Sequence, residues 1–536
     1  MIDQTTDTRG GKSLPTLTRV EIFFLLSVVA FLFLQIFLLP LTPVFVEGDH
    51  MLPVTNAMRL LNGEVMYRDF FHLSPPGAEY WYAALFYIFG AKVWVLNATI
   101  FLLALVQLAL VFAFSKRLLD GTFVLLPTLL YFVIGFRLYG IDGSFRLFSV
   151  VFVLAAVAVI MLRRTPTFLL IAGGLSGLAS FFVQTRGVLG IGAIGLFFLW
   201  ACFKEERNFR LLLSRWAYLS VAFITVVFVT QFYPAYLSGF DNYYFANVTF
   251  IKDHYGSDTL SNTFAYFTDL PRLNSYIQNY GAGGGIFRYI RVAVPSLFTY
   301  AIVPLVYLIY FVYRKLRPVE RGKDSDLMML SILGVVLFLG ASAPTAHRLY
   351  HISIPAVVVI AWLISRTLTQ RFALVTVASL SLLGVAYAVQ RQTASNVQLN
   401  LPAGRAAFLS AAMAEKYQWL MSQTEPGDLV FEAQHPTFYF PLRLKNPTPF
   451  YLVRDNDYTP AFQVNQLMAA LETRPPRFII WHGGWSKEIS ERKPGDNLDP
   501  LWRFVKANYT LKKEFREFGE FTTNSERDIE FWKRQN

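Results

Sequence analysis

Carboxylate, histidine and arginine side chains cluster in the stretch of chain that follows the first long apolar segment. They are Glu47, Asp49, His50, Arg68 and His72, and a second long apolar segment comes after them. Ionisable groups are costly to keep beside lipid, so a chain that holds several of them at a membrane face usually does chemistry or binds a ligand there. The pattern therefore predicts a site of chemistry or ligand binding next to the membrane.

The composition indicates what kind of protein positions these groups. Of the 536 residues, 54% are hydrophobic and 16% are charged, and the mean hydropathy is +0.41. These values lie outside the range of soluble globular proteins of this length. A bilayer core of about 30 Å requires roughly 17 to 25 apolar residues per helix. The sequence predicts a multi-pass membrane protein with eleven candidate spans, near 22–41, 93–114, 121–136, 147–162, 167–183, 187–203, 213–234, 292–313, 327–343, 352–365 and 372–389.

Two of the candidate spans are short and contain proline, Pro127 in the third span and Pro355 in the tenth. Irregular helices at membrane depth occur where they pack on protein or line a wet cavity. The two spans therefore indicate either helices that surround a site or plain hydrophobic mismatch with the bilayer.

Basic residues predict the orientation of the spans. If each span crosses once, the basic loops and the N-terminal tail all fall on one side, which the positive-inside rule makes cytoplasmic. The loops 44–92 and 235–291 and the chain after residue 390 are then external. The net charge of +12 is explained by this topology, and nucleic acid is not expected as a partner because no continuous basic face is evident. A single cysteine, Cys202, excludes an intrachain disulfide.

The sequence divides into a transmembrane domain, 1–390, and a small external α/β domain, 391–536. In the first loop, apolar residues at helical spacing over 52–61 predict an amphipathic helix that lies on the membrane surface and ends at Asn62-Gly63. After residue 390, helices alternate with strands, which predicts an α/β layer on the external membrane face. The predicted helices lie near 405–422, 463–473 and 499–508, and the predicted strands near 429–431, 477–481 and 529–532.

Several motifs occur in an order that resembles a known superfamily. An acidic residue directly follows the first span, and an amphipathic helix and an aromatic, Pro-Pro, aromatic pattern around Pro75-Pro76 come next. The further matching stretches are 86–90 (FYIFG), 174–179 (GLSGLA), 184–187 (QTRG) and 347–350 (HRLY), with Pro355. In order and spacing they resemble the glycosyltransferase-C superfamily, and within it the aminoarabinose and protein O-mannosyl transferases, a group similar to glycosyltransferase family 39. The resemblance implies a membrane all-α fold with about eleven transmembrane helices and a small α/β external C-terminal domain.

Members of that superfamily take a sugar from a polyprenyl-phosphate carrier and pass it to an acceptor on the external side of the membrane. The resemblance therefore implies an inverting glycosyltransferase of a bacterial inner membrane, with a polyprenyl-phosphate-linked sugar as donor and a lipid, glycan or protein as acceptor. Asp49 matches the first-loop acidic residue and would act as general base or orient the acceptor hydroxyl, with His72 as a catalytic helper. A positioned carboxylate that takes this proton contributes about 10² to 10⁴ in rate.

The leaving group of such a reaction is a lipid phosphate, whose growing charge needs cationic donors, and the arginine fork suits phosphate. A divalent cation (Mg, Mn or Ca) assists some relatives, and the candidate ligands here are Glu47, Asp49 and Asp142. The chain departs from the family pattern at two positions, since Gly48 separates the two acidic residues and Ser74 stands where relatives have lysine. The candidates for substrate binding are Arg68, Arg137, Arg146, Arg186, His347, Arg348 and His351.

Each candidate also has a purely structural interpretation. Asp49 would cap the first-loop helix, since aspartate is a preferred N-cap, and Arg137 and Arg146 would form an ion pair with Asp142. Arg186 lies between two spans, where an arginine needs a partner, and this favours ligand contact. For the whole chain, the alternatives are a transporter or flippase of a lipid-linked or polar substrate, and an inactive scaffold subunit. Paired broken helices, which are typical of transporters, are not evident in the sequence.

Overall fold

The computed structural model describes residues 17–535 apart from 136–142, 258–289, 291–292, 434, 455–457, 483–496 and 516–528. Among these residues, seven helices are long and apolar enough to cross a membrane, and three shorter apolar helices accompany them. The chain is therefore a multi-pass membrane protein. The helices up to residue 393 are α1 (Arg19–Ile36), α2 (Met51–Leu61), α3 (Gly77–Phe89), α4 (Val93–Leu118), α5 (Gly121–Gly135), α6 (Phe145–Leu162), α7 (Pro166–Phe182), α8 (Gln184–Ala201), α9 (Phe209–Ser238), α10 (240–253), α11 (Ala293–Leu316), α12 (Arg321–Leu339), α13 (Ala346–His351), α14 (Ile354–Ser365) and α15 (Gln370–Thr393).

The eleven candidate spans all coincide with helices of the structure. The first span ends at Ile36 rather than near residue 41, because the chain turns there into a hairpin of β1 (Phe37–Leu38) and β2 (Thr42–Pro43). The third span, α5, is irregular, as its Pro127 suggests, and passes from a 3₁₀ turn through an α turn into a π turn. Short π segments of this kind often lie next to functional sites.

Glycines allow α7 and α9 to pack closely. Gly173 and Gly177 lie one turn apart on α7, at the small-residue spacing that is typical of helix pairs in membranes. A β-carbon added at Gly173 would lie 2.3 Å from the carbonyl oxygen of Leu219 on α9, and one added at Gly177 would lie 2.8 Å from Val226 Cβ. The two helix backbones therefore meet at these glycines.

Gly173→Ala is expected to lower the melting temperature of the detergent-solubilised protein. The added methyl group would overlap the backbone of α9, which is held in a helix and has no freedom to move aside, and overpacking of this kind costs about 1–3 kcal/mol. Gly174→Ala is the matched control, because its β-carbon would lie 3.7 Å from Val226 Cγ2, an ordinary contact. Equal melting temperatures for the two variants would contradict the close approach of the helices.

The first-loop helix α2 ends where the sequence predicts, but it does not lie open on the membrane surface. Asn62 is its C-cap, and Gly63 follows with a positive φ of 85°. Most residues of α2 are buried, and Met51, Val54 and Ala57 are completely inaccessible. The C-terminal part of the chain covers the helix and shares one hydrophobic core with α2 and α3. The predicted surface helix is thus corrected to a helix enclosed between the membrane bundle and the C-terminal part.

After α15, the described residues form two small sheets and four helices. These elements are β3 (Val397–Leu401), β4 (Gly404–Phe408), α16 (Ala411–Gln423), β5 (Val430–Ala433), α17 (Tyr439–Leu442), α18 (Ala461–Thr473), β6 (Phe478–His482), α19 (Asp499–Asn508), β7 (Tyr509–Phe515) and β8 (Ile529–Arg534). Strands β3 and β4 form a hairpin. The larger sheet has the order β5-β6-β8-β7. Strands β5 and β6 are parallel, and the pairs β6-β8 and β8-β7 are antiparallel.

The predicted α/β layer is present, with one correction at its start. The helix predicted from residue 405 begins only at Ala411, where the side chain of Ser410 caps α16. The alanines of the preceding stretch favour a helix by propensity, but pairing with β3 overrides this preference and places Ala406 opposite Leu399. Gly404, with φ of +108°, supplies the left-handed backbone that the hairpin turn requires.

Backbone hydrogen bonds fix the C-terminal part on the first loop. Phe45 N donates to the carbonyl of Ala407 at 2.8 Å, before α2 begins. Phe71 N donates to the carbonyl of Pro449 at 2.9 Å, after α2 has ended. Because the first loop is held on both sides of α2 in this way, side chains that follow β5 are brought against the loop that carries Asp49.

Candidate active site

A pocket opens where the first loop, the membrane helices and the C-terminal part meet, and its cavity has a volume of about 100 Å³. Its walls come from the first loop, the start of α6, α13 and the segment between β5 and α18. The lining combines polar or charged groups with apolar side chains, so the pocket suits a ligand that has both a charged and an apolar part. The lining residues with polar or charged groups are Asp49, His72, Ser74, Arg146, Tyr255, Arg348, His435, Tyr451, Arg454 and Tyr458.

Asp49 precedes α2 and faces the pocket. Its carboxylate forms an ion pair with Arg146 and accepts a hydrogen bond from Arg146 Nη1, while its side chain stays 41% accessible. The N-cap of α2 is His50, so Asp49 lies one residue before the cap and does not have the capping role. Arg146 lies in the first turn of α6, directly after the N-cap Ser144 and Phe145. The pair therefore connects the first loop to a membrane helix.

His435 brings a second basic group to Asp49 from the C-terminal part. Its Nε2 lies 3.8 Å from Asp49 Oδ1, and its Nδ1 lies 3.3 Å from Thr437 Oγ1. The turn after β5 holds the ring in place, because the buried Glu432 carboxylate accepts hydrogen bonds from the N–H groups of Thr437 at 2.8 Å and Phe438 at 3.0 Å. The C-terminal part thus supplies one side of the site.

The surrounding charges set the protonation states of Asp49 and His435. Burial alone would raise the pKa of Asp49, but the Arg146 guanidinium and then His435 outweigh it and hold this pKa well below its usual range. Burial lowers the pKa of His435, yet the Asp49 carboxylate, together with Glu432 and Glu47, raises it above its ordinary value. Asp49 is therefore ionised at neutral pH, and His435 keeps its proton to a higher pH than an ordinary histidine does.

Two further arginines face the pocket from other elements. Arg348 lies on α13, and its Nη1 donates to the carbonyl of Ala343 at 3.3 Å. Arg454 follows α17, and its guanidinium carbon lies 5.8 Å from the centre of the Tyr458 ring. Burial and then the nearby Arg146 lower the pKa of Arg348, although a guanidinium stays charged. The arginines outnumber the carboxylates among the described lining residues, and the surplus of positive charge favours an anion such as a phosphate.

A buried polar network borders the pocket at His72. Its Nδ1 lies 2.7 Å from the Tyr451 hydroxyl, and its Nε2 lies 3.0 Å from Glu79 Oε1. Asn56 Nδ2 donates to the same Tyr451 hydroxyl at 3.0 Å. The partners of His72 are therefore side chains from the first loop, from α3 and from the C-terminal part, and they join these three regions.

Arg68 lies away from the lining of the pocket. Its side chain is 51% exposed and makes two hydrogen bonds of 2.9 Å to the carboxylate of its neighbour Asp69. An exposed pair of this kind contributes little to stability. Arg137 and Asp142, two further candidates, lie outside the described residues, so their roles stay predictions.

The lining of the pocket does not include Arg186, His347 or His351. Arg186 Nη1 donates to the carbonyl of Arg146 at 2.6 Å and to Ser149 Oγ at 3.1 Å, and so supports the start of α6 from α8. The Nε2 atoms of His347 and His351 lie 3.4 Å apart on α13, the helix that carries Arg348. Arg186 therefore supports the backbone of a pocket arginine, and the two histidines share a helix with another.

The predicted ligands of a divalent cation are described only in part, because Asp142 lies outside the described residues. Glu47 accepts a hydrogen bond from the Tyr417 hydroxyl at 2.9 Å, and Asp49 is bound to Arg146, whose charge repels a metal ion. In the part of the chain that the structure describes, no group of three or more His, Cys, Asp or Glu side chains is placed to hold a metal ion. The two described members of the predicted ligand set, Glu47 and Asp49, have other partners.

Among the polar and charged residues of the pocket, sequence reasoning did not single out Tyr255, His435, Tyr451, Arg454 and Tyr458. Four of them lie in the stretch between β5 and α18, which is long and contains α17 as its only helix among the described residues. Long segments with little regular structure inside a compact protein are often functional. This length, together with the many aromatic residues of the stretch, is the signal that could have pointed to it.

No protein-family model and no curated protein matches the chain. In structure it is similar to ArnT from Cupriavidus metallidurans bound to undecaprenyl phosphate, with a TM-score of 0.55, 13% identity, and 95% of this chain and 97% of that chain covered. For the apo state of ArnT the TM-score is 0.55 at 12% identity, with 95% of this chain and 97% of that chain covered. For the Archaeoglobus fulgidus oligosaccharyltransferase in complex with Zn and sulfate, the TM-score is 0.50 at 13% identity, with 94% of this chain and 73% of that chain covered. At these identities the likeness shows the fold, and the chain has the glycosyltransferase-C fold that its sequence predicts.

Proposed function

We propose that the chain is an integral membrane glycosyltransferase that moves a sugar from a polyprenyl-phosphate carrier to a lipid, glycan or protein acceptor. The observation that supports this most is the pocket, whose lining holds the Asp49–Arg146 pair together with Arg348 and Arg454. ArnT, whose fold the chain shares, binds undecaprenyl phosphate, an anion on a long apolar chain. A cationic pocket with apolar walls at the end of a membrane bundle suits such a ligand.

In the proposed reaction, the acceptor hydroxyl attacks the anomeric carbon of the sugar while the bond to the carrier phosphate breaks, with inversion at that carbon. The arginines stabilise the departing phosphate, and the loss of one such preorganised donor costs on the order of 3 kcal/mol in comparable sites. The Asp49 carboxylate orients the acceptor in front of the anomeric carbon. Because Arg146 and His435 lower the basicity of Asp49, it suits the task of orienting the hydroxyl better than the task of removing its proton.

The proposal places the pocket on the external side of a bacterial inner membrane, with the N-terminus in the cytoplasm. Helix α4 supports this orientation. Asn97, near its start, donates to the carbonyl of Val44 at 3.0 Å and so lies at the end of the bundle that carries the first loop. Lys116 and Arg117 lie in the last turn of α4, at the opposite end, where the positive-inside rule expects the cytoplasm.

The proposal is tested with purified protein and a panel of undecaprenyl-phosphate pentoses and hexoses that carry a radiolabelled sugar. Glycolipid, glycan and peptide acceptors are supplied, and free undecaprenyl phosphate and labelled acceptor are quantified together. We expect one donor to yield both products in equal amounts. Movement of intact labelled donor across a proteoliposome membrane, without cleavage of the sugar–phosphate bond, would instead support a transporter or flippase.

Binding of undecaprenyl phosphate is expected to weaken as the pH rises through the raised pKa of His435. Below that pKa the imidazolium adds a positive charge to the pocket, and above it this charge is lost. The measurement is a series of dissociation constants between about pH 6 and pH 9, a window that brackets the ordinary titration of histidine. His435→Gln should lack this step, so the difference between the two profiles separates it from titration of the lipid phosphate itself. Parallel profiles for wild type and variant would contradict the prediction.

A further inference from the structure

A completely buried carboxylate lies beside the pocket. Glu79, near the start of α3, has 0% of its surface exposed. Within the described chain, neither of its oxygens receives a hydrogen bond of good geometry, and the side chain that approaches it is His72, with Nε2 at 3.0 Å from Oε1. A buried carboxylate with so little compensation is unfavourable for folding, so a functional reason for its position is expected.

His72 connects this carboxylate to Tyr451. The tautomer that accepts the Tyr451 hydroxyl at Nδ1, 2.7 Å away, carries its proton on Nε2, the nitrogen that lies 3.0 Å from Glu79 Oε1. Asn56 Nδ2 donates to the same hydroxyl oxygen at 3.0 Å, which directs the O–H of Tyr451 toward His72. Burial raises the pKa of Tyr451, so its hydroxyl carries a proton at neutral pH. Hydroxyl, imidazole and carboxylate are thus arranged in series, and both Tyr451 and His72 line the pocket.

We propose that Tyr451, His72 and Glu79 form the relay that accepts the proton in the transfer reaction, with Tyr451 as the group that touches the acceptor hydroxyl. This inference rests on the proposed function. As the acceptor oxygen bonds to the anomeric carbon, its proton passes to the Tyr451 oxygen, and the Tyr451 proton passes to His72 Nδ1. The bond between the anomeric carbon and the phosphate oxygen breaks, and its electron pair leaves on the carrier phosphate. The new imidazolium lies beside the Glu79 carboxylate, which stabilises its charge, and it later returns the proton to water by the reverse path.

In this mechanism, different residues orient the acceptor hydroxyl and accept its proton. Asp49, tied to Arg146, is a weak base and orients the hydroxyl. Imidazole is suited to proton transfer near neutral pH, and here it is held between a carboxylate and a hydroxyl. Since Tyr451 belongs to the C-terminal part and His72 to the first loop, the relay exists only when these two regions are docked on each other.

The test compares wild type with Tyr451→Phe and Glu79→Gln, each of which removes one group of the relay and keeps the side-chain shape. Tyr509→Phe is the matched control, because Tyr509 is another buried tyrosine of the C-terminal part and its hydroxyl donates to the carbonyl of Pro476 at 3.0 Å, outside the pocket lining. With the donor that the panel above identifies and an alcohol acceptor, kcat should fall about 10²-fold in both relay variants, with KM for the donor nearly unchanged. The control should stay within about twofold of wild type.

Azide distinguishes proton transfer from a structural role, because it is an anionic nucleophile that needs no base. With azide in place of the alcohol, both relay variants should form the sugar azide at close to the wild-type rate, which also demonstrates that their sites are folded. Loss of transfer to both nucleophiles, or wild-type rates with the alcohol, would overturn the relay alone. A wild-type protein that releases no undecaprenyl phosphate from any donor would overturn the proposed function and the relay with it.

Discussion

Asp49→Asn is expected to lower kcat for sugar transfer by about 10²-fold, the effect of losing the group that positions the acceptor. The amide keeps the shape of the side chain but loses the charge that holds the acceptor hydroxyl, and it leaves the guanidinium of Arg146 without its carboxylate partner. The same change removes a negative charge from a pocket that holds three arginines. Binding of undecaprenyl phosphate should therefore be as tight as in wild type or tighter, while turnover collapses. Initial rates of carrier release and dissociation constants for undecaprenyl phosphate measure the two effects separately.

Asp428→Asn is the matched control for this variant. Asp428 also pairs with an arginine, Arg477, at 3.1 Å, but the pair lies in the C-terminal part away from the pocket lining. The kcat of Asp428→Asn should stay within about twofold of wild type. If Asp49→Asn lost carrier binding along with kcat, the role of Asp49 would be to hold Arg146 in position. An unchanged kcat would remove Asp49 from the mechanism.

The membrane helices were predictable because their signal is local. A span is defined by a run of apolar residues whose length matches the bilayer, and each run forms its own backbone hydrogen bonds. The failures came where a partner distant in sequence decides the structure. Residues 404–408 form a strand because β3 pairs with them, and α2 is buried because the C-terminal part covers it. Neither partner is visible in the local pattern.

The candidate site was likewise predictable only where its signal is local. The first-loop position of Asp49 pointed to a site, but the sequence did not distinguish Arg146 from Arg68, since both arginines lie near apolar segments. The structure separates them through their partners, because Arg68 bonds to the adjacent Asp69 whereas Arg146 bonds to a carboxylate 97 residues away. Tyr451 is 379 residues from His72, and nothing in either segment indicates the contact.

Arg348→Gln is expected to weaken the binding of undecaprenyl phosphate by about 10²-fold, the effect of removing one preorganised charged donor. Arg348 lines the pocket from α13, whereas the ion pair with Asp49 is formed by Arg146. Burial and then the nearby Arg146 lower the pKa of Arg348, so two positive charges lie close together in the pocket, where an anion could bind both. Dissociation constants measured at increasing KCl concentration should show a weaker salt dependence for the variant, because one charge–charge attraction is missing.

Two further substitutions show whether this effect belongs to the phosphate contact. Arg477→Gln removes an arginine whose partner, Asp428, lies outside the pocket lining. The affinity of this variant for undecaprenyl phosphate should stay within about twofold of wild type. Arg348→Lys keeps the charge but loses the planar fork, so it should recover part of the lost affinity and not all of it. Full recovery by lysine would mean that the pocket uses Arg348 as a point charge. Wild-type affinity in Arg348→Gln would place the anion on Arg146 and Arg454, and would contradict the contribution assigned here to α13.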